Sequence, residues 1–384
     1  MRICLYSETA LPVVGGQELV IDALARQYLA GGHDVVVVAL EQRRRGPPSD
    51  DHSLPYPVVR HRRFFSTRYL LDFYCRYLSQ IYRKHRCDVI HCHNVYPAGY
   101  VAAHWSESQG VPLVITSHGC DISPDSHLLT KPQVPGRVAY VLGQAAGLVA
   151  ISDAVERQYR RHCPQASRIV RISNGVDLSA YATPAPRGPG IPSSLRPQGY
   201  FLFLGRLVRR KGGDLLLEAF RQIADQVAAH LVIAGAGAEA AALKTMAIQL
   251  GLAGRVHFPG VVQGVEKLYL LQNCLGVVVP SRISEASSLV VLESHAAGAP
   301  VIGTRIPGLA DSILHNETGI LVPPDNAREL AAAMVRLANH RELASLVGQN
   351  GRAEAEQRDW RAVAEQHLDL YASLRAGRVQ RKSA

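Results

Sequence analysis

The chain has 384 residues, 47% of them hydrophobic and 19% charged, the composition of a globular protein with room for two cores. Seven scattered cysteines argue for reduced thiols in a cytoplasmic setting, and no apolar run approaches a bilayer span, so a secreted disulfide scaffold, an integral membrane protein and a fibrous chain are excluded. The net charge of +10 admits nucleic acid, an anionic membrane surface or a phosphorylated ligand as partner.

In chain order, the apolar run at 3–6 predicts a strand that begins without a signal-peptide core, followed by a loop carrying Gly15 and Gly16. Leu19, Ile21, Leu24, Ala25, Tyr28 and Leu29 recur at overlapping i, i+3 and i+4 spacings, a helix that Gly31 and Gly32 stop. Residues 35–40 are apolar without alternation, as in a parallel strand buried on both faces. Residues 43–86 hold eleven Lys and Arg against only Asp50, Asp51 and Asp72, so the basic surplus is concentrated there. Within them Leu70, Phe73, Tyr74, Tyr77, Leu78 and Ile81 form a helical apolar stripe. Two readings stay open for 60–84: an ordinary core-facing helix, or a helix that meets an anionic membrane surface or an acceptor. No nucleic-acid motif accompanies the charge. His85, Cys87, His91, Cys92 and His93 cluster as a metal site would, but strand alternation there scatters the ligands, and no metal is expected.

Strand patterns recur at 89–91, 111–116 and 147–151, the grammar of a doubly wound α/β domain. Residues 183–199, rich in Pro and Gly, read as a linker or long loop. The grammar then restarts with strands at 200–204, 230–234, 255–258 and 275–279 and helices at 214–229 and 238–250. Gly235, Gly237 and Ala240 imitate a dinucleotide fingerprint, G-x-G-x-x-A, yet no acidic ribose partner follows about twenty residues on. A last helix at 354–374 carries Trp360, Val363, Ala364, His367, Leu368 and Tyr371 as one stripe.

The window 277–302 parses as buried strand, polar loop, apolar helix, Gly stop and buried strand. Its helix, 288–297, is apolar almost all round and is expected inside the domain, where Glu293 needs a hydrogen-bond partner. Glu285, Ser287 and Ser288 stand at the helix N-terminus, whose free N–H groups and partial positive charge suit a phosphate. A phosphate seat beside two carboxylates that accept from hydroxyls suggests a sugar-nucleotide pocket. The plainer alternative is that Glu285 caps the helix and Glu293 is a satisfied core acid. Arg206 and Lys211, five apart on the loop after a strand, are placed to face one anion. His118 follows the 111–116 strand, where α/β crevices bind ligands, and is either a ligand contact or a buried structural histidine; Asp121 lies three residues on.

These residues carry a resemblance. Glu285 and Glu293, in the frame Pro-Ser-x-x-x-Glu-x7-Glu-x4-Gly-x-Pro-Val, resemble the E-x7-E signature of the retaining GT-B glycosyltransferases of family 4. Val14-Gly15-Gly16, Ser117-His118-Gly119, Ser173-Asn174-Gly175-Val176-Asp177, the Gly205-Arg206 to Lys211-Gly212 stretch and Thr318-Gly319-Ile320-Leu321-Val322-Pro323 resemble that family's other landmarks, in order. The resemblance implies two Rossmann-like doubly wound domains facing across a cleft: 1–180 with a returning helix 356–384 for the acceptor, and 181–355 for a nucleotide-sugar. It implies that Arg206 and Lys211 hold the donor diphosphate and stabilise it as leaving group. Glu285 would contact the transferred sugar, Glu293 the ribose hydroxyls, and Ser288 and Leu289 would offer backbone N–H groups. Gly16 would let the backbone approach phosphate and acceptor, and His118 would lie beside the reacting sugar. Transfer would be retaining, by front-face attack, with no metal or other cofactor. The donor is expected to be a UDP-sugar by default, with GDP and ADP open, and the acceptor a sugar, a lipid or a small molecule. The protein would be cytoplasmic, with the inner face of a membrane as a peripheral site. A nucleotide-sugar epimerase or hydrolase of the same fold and a non-catalytic membrane-surface protein are the alternatives. Two departures stand out: Ala286-Ser287-Ser288 adds hydroxyls after Glu285, and Pro307-Gly308-Leu309-Ala310-Asp311 has one glycine and an aspartate where two glycines and a glutamate are commoner.

Overall fold

The computed structural model describes residues 1–41, 53–62, 67–166 and 168–382. They divide into two compact units, Met1–Asn174 with Trp360–Ala384, and Gly175–Asp359. The chain thus leaves the first unit at Asn174, not at 180, and returns at Trp360, not at 356.

The first unit alternates strand and helix: β1 (Arg2–Tyr6), α1 (Gly16–Ala30), β2 (Asp34–Glu41), β3 (Val58–Arg62), α2 (Thr67–His85), β4 (Val89–Cys92), α3 (Ala98–Gln109), β5 (Leu113–Thr116), α4 (Val134–Gln144), β6 (Gly147–Ala150), α5 (Asp153–His162) and β7 (Ile169–Arg171). The seven strands form one parallel sheet in the order β3-β2-β1-β4-β5-β6-β7. Helices cover both faces, which is why Leu5, Val37, Val38 and Val114 are fully buried although they follow no polar alternation. On α2, Tyr74, Leu78 and Ile81 turn inward beside α3 and Asp72, Arg76 and Arg83 outward, but Phe73 of the same stripe is 44% exposed and Tyr77 half-buried, so the stripe faces the core only in part. The basic stretch 43–52, residues 63–66 and the side chain of Leu70 lie outside the described residues.

The second unit continues with β8 (Tyr200–Leu204), α6 (Gly213–Ile223), β9 (His230–Ala234), α7 (Ala240–Gln249), β10 (Val256–Gly260), α8 (Gly264–Asn273), β11 (Gly276–Val279), α9 (Leu289–Ala296), β12 (Val301–Thr304), β13 (Ile320–Val322), α10 (Ala327–Asn339) and α11 (Arg341–Glu356). Its six strands are parallel in the order β10-β9-β8-β11-β12-β13. The last helix, α12 (Trp360–Lys382), rejoins the first unit, packing on α1 with the Tyr28 and Tyr371 hydroxyls 3.0 Å apart.

The stretch 183–199 is no spacer. Ile191 and Leu195 are buried in the second unit's core, the Gly190 N–H donates to Glu266 at 2.8 Å, and Gln272 bonds both Ala185 N and Thr183 O. Pro and Gly prevent regular structure there without preventing packing.

Candidate active site

In a doubly wound sheet the crevice lies where strand order reverses, beyond the carboxyl ends of the strands. In the second unit that point falls between β8 and β11. The loop after β8 carries Arg206 and Lys211, and the loop after β11 carries Glu285 and leads into α9. Lys211 ends a single 3-10 turn, and Gly212 follows at φ 70 with its backbone against the Pro280 carbonyl, a close approach that leaves no room for a β-carbon. Lys211 Nζ then forms an ion pair with Glu285 Oε1, which also accepts from the Ser281 hydroxyl at 2.6 Å. Burial pushes the Glu285 carboxyl up, but Lys211, Ser281 and the Arg210 charge outweigh it and hold it below the usual carboxylate range.

The two loops are locked together. Arg282 clamps Asp214 with two bonds, at 2.5 and 2.9 Å, bonds Asp325 at 2.6 Å, and donates to the Arg209 carbonyl at 3.0 Å. From the far side the loop after β9 braces Arg206: Gly205 N and Leu207 N donate to the Ala234 and Ala236 carbonyls. The G-x-G-x-x-A turn therefore supports the loop of a neighbouring strand. Arg206 itself is exposed and its guanidinium makes no ion pair with a described residue.

Ser288 caps α9, its hydroxyl accepting from Val291 N, and Leu289 is the first helical residue, so the N–H groups at this end have no preceding turn to bond. The expectation that α9 lies wholly inside needs correction. Val291, Leu292 and Ala296 are buried, but Leu289, Val290 and Glu293 line a half-exposed edge. On it Glu293 accepts from Lys267 Nζ of α8 at 2.7 Å, the two side chains being 18% and 26% exposed.

In the first unit, strand order reverses between β1 and β4. Gly16 begins α1 after an uncapped, extended Gly15 and is exposed. Gln17 of α1 donates to the Ser7 hydroxyl at 2.6 Å and accepts from the Asn94 amide at 3.0 Å, tying the segment after β1 to the one after β4. His118, on the loop after β5, is half-buried, and its Nε2 lies 3.1 Å from Nδ1 of His93, which follows β4. Burial pushes the His118 imidazole down to about 4, so it is neutral at pH 7. Asp121 turns inward: it accepts from the Ser117 hydroxyl at 2.5 Å and from Val95 N and Tyr96 N, clamping the loops that bear His93 and His118.

Comparison with known proteins settles the family. Residues 14–180 match Glycosyltransferase Family 4 and residues 193–354 match Glycosyl transferases group 1. The D-rhamnosyltransferase WbpZ of Pseudomonas aeruginosa is 30% identical over 373 residues, 93% of this chain and 92% of that protein. The chain belongs to the group 1, family 4 type of glycosyltransferases. Among solved structures, the sucrose-phosphate synthase of Thermosynechococcus elongatus is similar over 98% of this chain and 99% of its own, with TM-score 0.82 and 25% identity. Anabaena HepE in complex with UDP is similar over 97% and 100%, with TM-score 0.80 and 23% identity, a likeness of fold. Both fit two Rossmann-like units of the GT-B type.

For this glycosyltransferase, Lys211, Glu285, Ser288, Leu289, Glu293 and Arg206 all fall in the second unit, and Gly16 and His118 in the first. The motif reading names Lys211 and Glu285 separately and the structure joins them. Three residues escape the sequence: Lys267, which holds Glu293, Arg282, which joins the two loops, and His93, which meets His118. Arg282 stands three residues before Glu285, at an unspecified position of the Pro-Ser-x-x-x-Glu frame, and carries a signal by position alone. Lys267 lies 26 residues upstream of its partner, on another helix, with no local signal.

Proposed function

We propose that this glycosyltransferase moves a hexosyl group from a nucleotide-sugar, a UDP-sugar in the first instance, to a sugar, lipid-linked or small-molecule acceptor with retention of configuration. The observation that carries the reading is the Lys211–Glu285 pair at the reversal point of the second sheet, beside the open N-terminus of α9. UDP in the HepE structure supports the donor class. In this reading Arg206, Lys211 and the N–H groups at Ser288 and Leu289 neutralise the diphosphate, so the reaction runs without a metal or other cofactor. Glu293 accepts from the ribose hydroxyls and Glu285 from the transferred sugar. The acceptor hydroxyl attacks the anomeric carbon on the face the diphosphate leaves. The C–O bond to phosphate breaks, the new glycosidic bond forms, and the departing phosphate oxygen takes the acceptor's proton. No carboxylate nucleophile is used. Gly16 and His118 serve the acceptor and the reacting sugar, and exposed Arg76, Arg83 and Lys84 of α2 offer charge to an anionic acceptor or membrane surface.

The test is nucleoside diphosphate release from a panel of nucleotide-sugars, with and without acceptors, with and without EDTA, and with the product anomer assigned by NMR. Acceptor-dependent release and a retained anomer are expected. Release of free sugar or an epimer without acceptor supports the epimerase or hydrolase reading, and no binding of any donor overturns both. Lys211→Ala is expected to lower kcat about a hundredfold, as loss of a leaving-group contact does, whereas Glu293→Ala raises the donor KM with a smaller change in kcat. Wild-type kinetics in both would contradict these roles.

A further inference from the structure

His118 does not stand alone. Behind it three more histidine rings and two tyrosines run through the first unit. The His118 and His93 rings are stacked, 5.4 Å apart at 14°, and His93 lies 4.3 Å from His91. His91 is fixed at both nitrogens: Nε2 is 2.7 Å from the Thr116 hydroxyl and Nδ1 is 2.6 Å from the Tyr371 hydroxyl, which in turn meets Tyr28. His367 of α12 lies 5.5 Å from His91.

His93 is the informative member. It is 0% exposed, its Nδ1 faces His118 Nε2 at 3.1 Å, and its own Nε2 is buried without a hydrogen-bond partner among the described residues. A neutral imidazole carries one proton. With that proton on Nε2, a buried N–H would be orphaned. With it on Nδ1, only a lone pair is left unpaired. Orphaned buried N–H groups are the rarer and costlier of the two. His93 Nδ1–H therefore donates to His118 Nε2. A neutral His118 whose Nε2 accepts must bear its own proton on Nδ1, and no described residue bonds that nitrogen.

We propose that His93 is a positioning residue that fixes His118 in the Nδ1–H tautomer, so that His118 presents a hydrogen-bond donor, not a base, to a hydroxyl oxygen of the bound sugar. Burial supports neutrality throughout: it pushes His118 to about 4 and His93 and His91 well below the usual histidine range. The assignment of His118 to the sugar rests on the proposed function. It also agrees with a reaction in which the phosphate oxygen, not a protein base, receives the acceptor's proton.

The test uses the full-length protein labelled with 15N-histidine, without substrate. Long-range 1H–15N spectra distinguish protonated from bare ring nitrogens, and His118→Gln assigns the His118 signals by their loss. The expected result is His118 protonated on Nδ1 and bare at Nε2. In His93→Leu, or in His93→Phe where Leu lowers the melting temperature, the proton is expected to redistribute to Nε2, and kcat to fall about tenfold with donor KM within about twofold, the scale of one misdirected hydrogen bond. A wild-type His118 protonated on Nε2 overturns the proposal, as does a His93 variant that keeps both the tautomer and kcat. Because the spectra need no substrate, failure to transfer from any donor would overturn the functional reading and leave the tautomer result standing.

Discussion

Glu285 is 8% exposed, and burial by itself would favour its neutral form; the Lys211 ammonium and the Ser281 hydroxyl reverse that preference and keep the carboxylate charged. A pair this enclosed is asymmetric in its consequences. Together the two charges satisfy each other, but removing one leaves its partner without compensation. Glu285→Gln is therefore expected to lower the stability of the second unit by about 1–3 kcal/mol at neutral pH, the scale of a charged hydrogen bond lost in a partly buried site. The pH dependence has a definite sign. The native pKa of Glu285 is depressed, so its contribution is complete above the unfolded value of 4.5 and disappears as pH falls through the native one. Urea unfolding followed by far-ultraviolet circular dichroism should show a gap between wild type and Glu285→Gln at pH 7 that closes below the ordinary carboxylate pKa. A gap that persists in acid would mean that the Lys211 pair is not its source.

At the scale of elements, the candidate donor site consists of two loops held in one arrangement by Arg282. Its guanidinium reaches Asp214 at the start of α6, Asp325 ahead of α10 and the Arg209 carbonyl, so one side chain ties three segments. Arg282→Ala is expected to reduce kcat/KM for the donor about tenfold, through freedom gained at Lys211, with a stability loss near 1 kcal/mol because the contact is only partly buried. Hydrogen exchange at residues 209–212 should quicken in that variant; unchanged exchange and kinetics would show that the loops hold without it. The same elements show what was legible in the sequence. Strands such as β8 and β11 read clearly because burial on both faces removes polar alternation. Lys211 and Glu285 read clearly because their motifs are local. Glu293 was visible as a carboxylate in need of a partner, but Lys267 was not, since the register of α8 against α9 is a tertiary fact. His93 looked like one of several scattered ligands until β4 and β5 aligned it with His118. The 183–199 stretch misled for a related reason: Pro and Gly report on backbone regularity, and the burial of Ile191 and Leu195 depends on side chains that composition does not place. Helices α10 and α11 went unread, for no motif pointed to them.

Across the whole molecule the buried histidines are unevenly shared. Among the described residues, the histidines that burial holds far below the ordinary range are His91, His93, the half-buried His118 and His367 in the first unit and His295 in the second. Burial lowers all five, to about 4 for His118, His367 and His295 and well below the usual histidine range for His91 and His93. A histidine depressed in the native state binds its proton more readily when unfolded. Its contribution to stability is therefore complete above about 6.5 and is lost as pH falls toward about 4. Taken alone, His367 accounts for roughly 3 kcal/mol over that window. Asp121 works in the opposite direction, because burial raises its carboxyl and native protonation is favoured in acid, but it is one group against four. The first unit should thus weaken well before the second between pH 6.5 and pH 4. The sequence supplies the probe, since Trp105 and Trp360 both belong to the first unit. Tryptophan fluorescence reports that unit alone, whereas far-ultraviolet circular dichroism reports both. At pH 7.5 the two urea transitions should lie close together, and on acidification the fluorescence midpoint should fall first and farther. Midpoints that fall in step would place the acid-sensitive groups equally in both units and contradict the account of the histidine stack as buried and neutral.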